Sequence, residues 1–210
     1  YTAAQDLEYG IYYVRPYVCD RLNHDDNTYG TRLFIVTYLR YGQNSILFPG
    51  DITPSAMEKI LNQSEGVEKR FTVFSKQAQE AHPRWTTETF DQPSLKSKLK
   101  AHGLSVLVAS HHGLESCYSP ELYAAIRNEK PGIVAISEMY RAGEGQGKID
   151  GRYQCKDGSV GQTVRTAGKD ELCHSITTKS NHILIRFNGS GTPRIYRESR
   201  IEDLMKWANV

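Results

Sequence analysis

The chain has 210 residues, of which 39% are apolar and 10% aromatic, a composition that can bury one sizeable globular core. Its 26 Lys and Arg residues nearly balance its 24 Asp and Glu residues, so the net charge of +2 excludes nucleic-acid or membrane binding driven by whole-molecule charge. No apolar run approaches the ~20 residues needed to cross a bilayer, and no signal-peptide pattern opens the chain. We therefore expect a soluble, cytoplasmic protein that does not bind membranes.

The four cysteines are widely separated and form no CxxC pair, so the sequence predicts neither a zinc ribbon nor a disulfide framework. We expect reduced, unrelated thiols. The chain begins at Tyr1 rather than Met, which is typical of a fragment or a processed product.

The first third of the chain is rich in strand signals. Residues 9–18 are aromatic and β-branched and predict a strand that Pro16 ends or confines to a sheet edge. The apolar runs 31–38 and 44–48 are joined by a short polar turn, so they predict a hairpin whose far end carries Gly50 and Asp51.

Short helices are predicted by their capping residues. Thr53 is placed to cap a helix that has Pro54 in its first turn. A short basic helix over 94–102 is closed by Gly103, and a capped helix is predicted over 119–126. Along the chain these helices alternate with predicted strands, and that order indicates the fold class.

Two apolar runs, 105–109 and 131–137, predict buried strands on either side of the third helix. This β-loop-α-β order indicates an α/β protein. Residues 182–187 and 192–196 predict a final hairpin, and 202–208 a closing helix.

Residues 141–171 are Gly-rich, charged and poor in large apolar side chains, which predicts a long, flexible insertion. Six positive charges lie there, interleaved with Tyr140 and Tyr153, a mixture that could follow a nucleic-acid backbone and stack on bases. The acidic residues of the same stretch offset most of that charge, so a solvated loop is the alternative. The positive residues are Arg141, Lys148, Arg152, Lys156, Arg165 and Lys169.

Two strands end in potential metal ligands. One ends in Gly50-Asp51 and the other in Ser110-His111-His112-Gly113. The adjacent glycine allows a sharp exit from each strand, which would expose the polar side chain at the edge of the sheet. The alternatives are a turn or N-cap aspartate and a histidine pair that only hydrogen-bonds the backbone.

The order of these features resembles the metallo-β-lactamase superfamily, and specifically the second half of that fold as found in the ComEC competence-type hydrolases. The similarity covers roughly residues 30–140, with a weaker part at 182–196. It implies that residues 1–210 form the C-terminal half of an αββα sandwich, with a mixed sheet flanked by helices.

The resemblance also implies roles for individual residues. Asp51 would bridge two divalent metal ions, zinc or manganese, and His112 would bind the second ion. His111 would be catalytic, facing the substrate's phosphate or donating a proton to the leaving group. Such a metal pair lowers the pKa of bound water and stabilises both oxygens of a displacement.

One motif of the family is absent. Its His-x-His-x-Asp-His loop, which belongs to the first half of the fold, does not occur in the 210 residues. We expect that half on another chain, after gene splitting or proteolytic cleavage, or outside this sequence.

Two further histidines are weaker candidates. His24 lies in a polar loop before the hairpin and could be another metal ligand, although a residue of a solvated polar loop is the favoured interpretation. His174 follows the Gly-rich stretch and could reach the substrate, together with Lys148 and Arg152.

The sequence therefore predicts a metal-dependent hydrolase, a phosphodiesterase or nuclease that acts on nucleic acid once the complementary half is present. One alternative is a hydrolase of another ester or amide, because the same metal pair serves many leaving groups. Another is a non-catalytic, regulatory half-domain. A split or processed enzyme would also suit a defence effector that is controlled by assembly.

Overall fold

The computed structural model describes residues 7–13, 35–62, 93–138 and 149–208, which form two stacked β-sheets with helices on the outer faces. The strands are β1 Leu7–Tyr13, β2 Ile35–Tyr41, β3 Asn44–Phe48, β4 Val106–Val108, β5 Ile133–Ile136, β6 Gln162–Thr166, β7 Lys169–Cys173, β8 Ser175–Thr177, β9 His182–Arg186 and β10 Arg194–Glu198. The helices are α1 Pro54–Leu61, α2 Leu95–His102, α3 Pro120–Ala125, α4 Gly151–Gln154 and α5 Ile201–Ala208.

The first sheet has the strand order β1-β2-β3-β4-β5-β8. Strands β1, β2 and β3 are antiparallel, as the predicted hairpin requires, whereas β3, β4, β5 and β8 run parallel. The predicted α/β class with a mixed sheet is therefore confirmed. The parallel arrangement also brings the carboxyl ends of four strands to one edge, where ligand sites of open α/β sheets form.

Helices α1, α2 and α3 cover one face of this sheet because their apolar residues recur on a single side. Met57 and Ile60 of α1 are fully buried, as is Leu99 of α2. The predicted caps are confirmed: the Thr53 hydroxyl accepts a hydrogen bond from the Ala56 amide at 3.4 Å, and Gly103, with φ of +73°, ends α2.

The second sheet, in the order β7-β6-β10-β9, covers the other face of the first. Val164 of β6 and Ile195 of β10 pack against Val106 and Ile133 of the first sheet. Helix α5 lies on the outer side of this second sheet, where the Trp207 ring stacks on Tyr196 at 5.2 Å. The layers follow in the order helices, sheet, sheet, helix.

The prediction of a long loop at 141–171 was wrong for its described part. Residues 149–171 contain α4, β6 and most of β7, and β6 pairs with both β7 and β10. Strand β7 is exposed along Lys169–Leu172 and buries only Cys173, so its sequence lacks the alternation that signals a strand. In the described residues, no helix is long and apolar enough to span a membrane.

Candidate active site at the carboxyl edge of the parallel strands

Three neighbouring strands deliver polar side chains to the same edge of the first sheet. Asp51 lies in the turn after β3, the His111–His112 pair follows β4, and Glu138 follows β5. The His111 amide donates a hydrogen bond to the Gly50 carbonyl at 3.1 Å, so the first two loops are joined directly. The structure therefore places the loops that carry Asp51 and the two histidines side by side.

The backbone of the histidine loop is strained. His111 has φ of +45°, His112 +58° and Gly113 +84°, so three consecutive residues adopt left-handed conformations. Side chains with a Cβ rarely adopt this region and lose about 1–2 kcal/mol there. Such strain persists only where the surroundings enforce it, and it is concentrated at functional sites.

The ring of His112 is oriented by the backbone of β5. Its Nδ1 lies 2.5 Å from the Ser137 carbonyl oxygen, and the ring is partly exposed. Because a carbonyl oxygen only accepts hydrogen bonds, Nδ1 carries the proton and the lone pair of the neutral ring is on Nε2. This is the arrangement found in metal-ligating histidines, whose second nitrogen donates to a carbonyl or carboxylate.

His111 has a different partner. Its Nδ1 lies 3.5 Å from Sγ of Cys117, a buried thiol. Burial raises the pKa of this thiol, the hydrogen bond with Ser116 lowers it, and the negative charge of Asp51 raises it further. The thiol is therefore protonated at neutral pH and can donate to Nδ1 of His111; in the tautomer that accepts this bond, the ring proton is on Nε2.

Residues 149–153 support the histidine loop from behind. The Asp150 amide donates to the Gly113 carbonyl at 2.8 Å, and Ile149 forms an isolated β-bridge with Leu114. The buried Tyr153 hydroxyl donates to the Cys117 carbonyl at 3.2 Å. The segment predicted to be a flexible insertion thus contributes the wall that holds the loop in its strained conformation.

Arg152 lies beside this wall and is paired with a neighbour. Its guanidinium makes a bidentate contact with the Asp150 carboxylate and lies 3.9 Å from the centre of the Tyr118 ring. The hydrogen bond from Arg152 lowers the pKa of Asp150. The Arg152 side chain is 47% exposed, so it can still meet a ligand near the loop.

The predicted base-stacking role of Tyr153 was wrong, because its side chain is only 2% exposed and packs in the core. Arg165 is also engaged, 3.8 Å from the Asp170 carboxylate and 5.1 Å from the centre of the Trp207 ring. In the described part of 141–171, no aromatic side chain is therefore exposed between the basic residues and free to stack on a base.

The structure does not bring His174 to the candidate site. His174 precedes β8, at the amino end of the parallel strands, whereas Asp51 and His112 lie at their carboxyl ends. Its Nδ1 lies 3.2 Å from the Ser159 carbonyl oxygen. His24 and Lys148 lie outside the described residues.

The sequence analysis missed a polar cluster at the same edge. The Thr177 hydroxyl donates to the Glu138 carboxylate at 2.7 Å, and Lys179 Nζ lies 3.8 Å from its other oxygen. Glu138 follows a strand that the sequence predicts and could have been found from it. Thr177 and Thr178 could not, because the three-residue strand β8 has no recognisable pattern.

The donor types at this edge suit the expected metal. A carboxylate oxygen from Asp51 and a ring nitrogen from His112 are ligands that zinc and manganese accept. Within the four described ranges, no group of three or more His, Cys, Asp or Glu side chains is arranged to hold a metal ion. Asp51 and His112 are only two candidate ligands, so these residues do not form a metal site by themselves.

Comparison with known proteins adds no relative. No protein-family model matches the chain, and no curated protein or solved structure matches it either.

Proposed function

We propose that this chain contributes the second half of a metallo-β-lactamase-fold hydrolase that cleaves phosphodiester bonds, with nucleic acid as the substrate. The observation that carries the proposal is that the loop after β4 is hydrogen-bonded to the turn that holds Asp51, and that in this loop the His112 ring is held through Nδ1 with its Nε2 lone pair free. The four-layer order of helices, sheet, sheet and helix also supports it.

In the proposed site, Asp51 and Nε2 of His112 hold divalent metal, zinc or manganese. When bound, such ions would lower the pKa of a water molecule and stabilise negative charge on the attacking and leaving oxygens. In this account the Cys117 thiol donates to Nδ1 of His111, so Nε2 carries the ring proton and donates to the substrate instead of binding metal. Its role is to hold a phosphate oxygen or to protonate the leaving group.

The remaining ligands come from a complementary half that carries a His-x-His-x-Asp-His motif. Asp51 and His112 provide only two ligands, and a metal pair needs more. A partner that supplies those ligands makes the activity dependent on assembly, which suits an enzyme that is held inactive until needed.

The choice of phosphodiester substrates rests on the resemblance to competence-type hydrolases. Arg152 beside the histidine loop and Lys179 just after β8 are paired with Asp150 and Glu138, so these two pairs add no net positive charge and the substrate class depends on the resemblance. Hydrolysis of neutral esters or amides, and a non-catalytic regulatory role, are the outcomes against which the proposal is tested.

The sharpest test is His112→Asn in protein isolated from its natural source. The asparagine amide can keep the hydrogen bond to the Ser137 carbonyl, and Asn tolerates a positive φ, but it has no nitrogen in the place of Nε2. If His112 served only the backbone, the variant would keep full activity. We expect it to lose metal and at least about 10–100-fold of its activity, the loss typical when the partner of a metal ligand is removed.

The assay compares hydrolysis of single-stranded DNA, bis(4-nitrophenyl) phosphate and 4-nitrophenyl acetate, with metal content measured on the same samples. Asp51→Ala should behave like His112→Asn, whereas the matched control His102→Ala, on the exposed end of α2, should leave both readouts unchanged. Cleavage of the acetate alone would favour the other hydrolase class. Absence of metal and of all three activities in the wild type would favour a regulatory domain.

A further inference from the structure

The peptide group between Ser137 and Glu138 is hydrogen-bonded on both sides. Its carbonyl oxygen accepts a hydrogen bond from Nδ1 of His112 at 2.5 Å, and its amide donates to the Thr178 hydroxyl oxygen at 3.0 Å. The same amide also lies 3.1 Å from the Ile136 carbonyl. The hydroxyl of Thr178 and the ring of His112 are thus linked through one peptide unit.

Thr178 is itself held in register by the sheet. It directly follows β8, which pairs with β5 through Ile136 and Thr177, and its own amide donates to the Ile136 carbonyl at 3.0 Å. Its hydroxyl lies 3.4 Å from the Glu138 carbonyl oxygen, to which it can donate while accepting from the Glu138 amide. Both hydrogen-bonding directions of the hydroxyl are used.

We propose that Thr178 is a positioning residue for His112. A hydrogen bond to the amide of a peptide unit polarises that unit, which strengthens the bond that its carbonyl accepts. It also fixes the plane of the peptide, so the carbonyl of Ser137 is aimed at Nδ1 of His112. The consequence for metal binding rests on the proposed function, but the effect on the ring does not.

The neighbouring Thr177 provides a matched control. Its hydroxyl donates to the side-chain carboxylate of Glu138 rather than to the peptide unit, and it accepts from the Lys179 amide at 3.1 Å. Thr177→Val and Thr178→Val make the same chemical change at adjacent residues of one cluster. Only the second removes the contact to the peptide that orients His112.

The test is the tautomer of the His112 ring in the metal-free full chain, read from the ¹⁵N shifts of Nδ1 and Nε2 in long-range ¹H–¹⁵N spectra. The wild type should show protonated Nδ1, and Thr178→Val should lower the Nδ1–H to Nε2–H ratio about two- to fivefold, as expected for a weakened hydrogen bond. Thr178→Ser should restore the wild-type ratio, and Thr177→Val should leave it unchanged.

A ratio in Thr178→Val equal to that of the wild type would overturn the proposal, as would an equal change in Thr177→Val. Amide spectra of each variant show whether the fold is intact, and Thr178→Ala, which also lacks the hydroxyl, supplies the decisive comparison if the valine variant is unfolded. Because the measurement needs neither metal nor substrate, it can succeed when the hydrolase proposal fails, or fail when that proposal holds.

Discussion

The strained backbone at His112 leads to a prediction that separates conformation from side-chain chemistry. Replacing His112 by Ala or by Gly removes the same bond to Ser137, so that loss cancels when the two variants are compared. What differs is the Cβ atom, which is unfavourable at a φ of +58°. We therefore expect the Gly variant to be more stable than the Ala variant.

The magnitude follows from two opposing terms. Removing the Cβ from a left-handed position gains about 1–2 kcal/mol. The glycine also makes the unfolded chain more flexible, which costs about 0.4–1 kcal/mol of folding free energy. The difference of these two ranges is about 0–1.6 kcal/mol, so we expect the unfolding free energy of His112→Gly to exceed that of His112→Ala by about 0.8 kcal/mol.

Lys130 provides the control, because its φ of −143° is an ordinary extended conformation. There the Gly variant should be less stable than the Ala variant by about 0.5–1 kcal/mol, so the sign reverses. Urea unfolding of the Gly and Ala variants at both positions measures the two differences in unfolding free energy, provided that the m values, the slopes of unfolding free energy against urea concentration, are equal. A His112→Gly variant that is no more stable than His112→Ala would refute the strained-loop argument.

Other predictions concern the support of the fold. Glu8 lies 2.6 Å from Nζ of Lys98, whose side chain is 5% exposed, and 2.7 Å from Nε of Arg40. We expect Glu8→Gln to lower the unfolding free energy by about 1–3 kcal/mol, a range discounted for the partial exposure of Glu8, and the added substitution Lys98→Met to recover part of that loss. Equal urea midpoints for the wild type and Glu8→Gln would contradict this. Burial raises the pKa of Glu8, but hydrogen bonds from Lys98 and Arg40 outweigh it and lower the pKa below 4.5. This contribution is therefore complete above pH 4.5 and is lost as the pH falls through the lowered pKa, so the urea midpoint of Glu8→Gln should depend less on pH in that acid range than that of the wild type. Tyr153→Phe removes the bond to the Cys117 carbonyl and should lower the unfolding free energy by about 1 kcal/mol, while an unchanged midpoint would show that the wall behind the histidine loop does not depend on it.

Local signals in the sequence predicted the elements whose ends are defined by single residues. As expected, Thr53 caps the start of α1 and Gly103 ends α2, since a side-chain cap and a positive φ are each properties of a single residue. The antiparallel pairing of β2 with β3 was also predictable from two apolar runs and a short turn.

The missed features depend on contacts between distant residues. Strand β7 is an exposed edge strand that exists because it pairs with β6, and its own sequence indicates a loop. His174 and Thr177 lie three residues apart, yet the direction of β8 sends one to the amino edge and the other to the carboxyl edge. Likewise, the positive φ of His112 follows from the packing around its loop, which no local pattern records.

The central claim is that Asp51 and His112 hold a divalent metal in a site completed by another polypeptide segment. Native mass spectrometry of the protein purified from its natural source, alongside Asp51→Ala and His112→Asn, tests this most directly. The account predicts two divalent ions in the wild-type assembly and reduced metal content in both variants. A metal-free wild type, or variants that retain both ions, would contradict it.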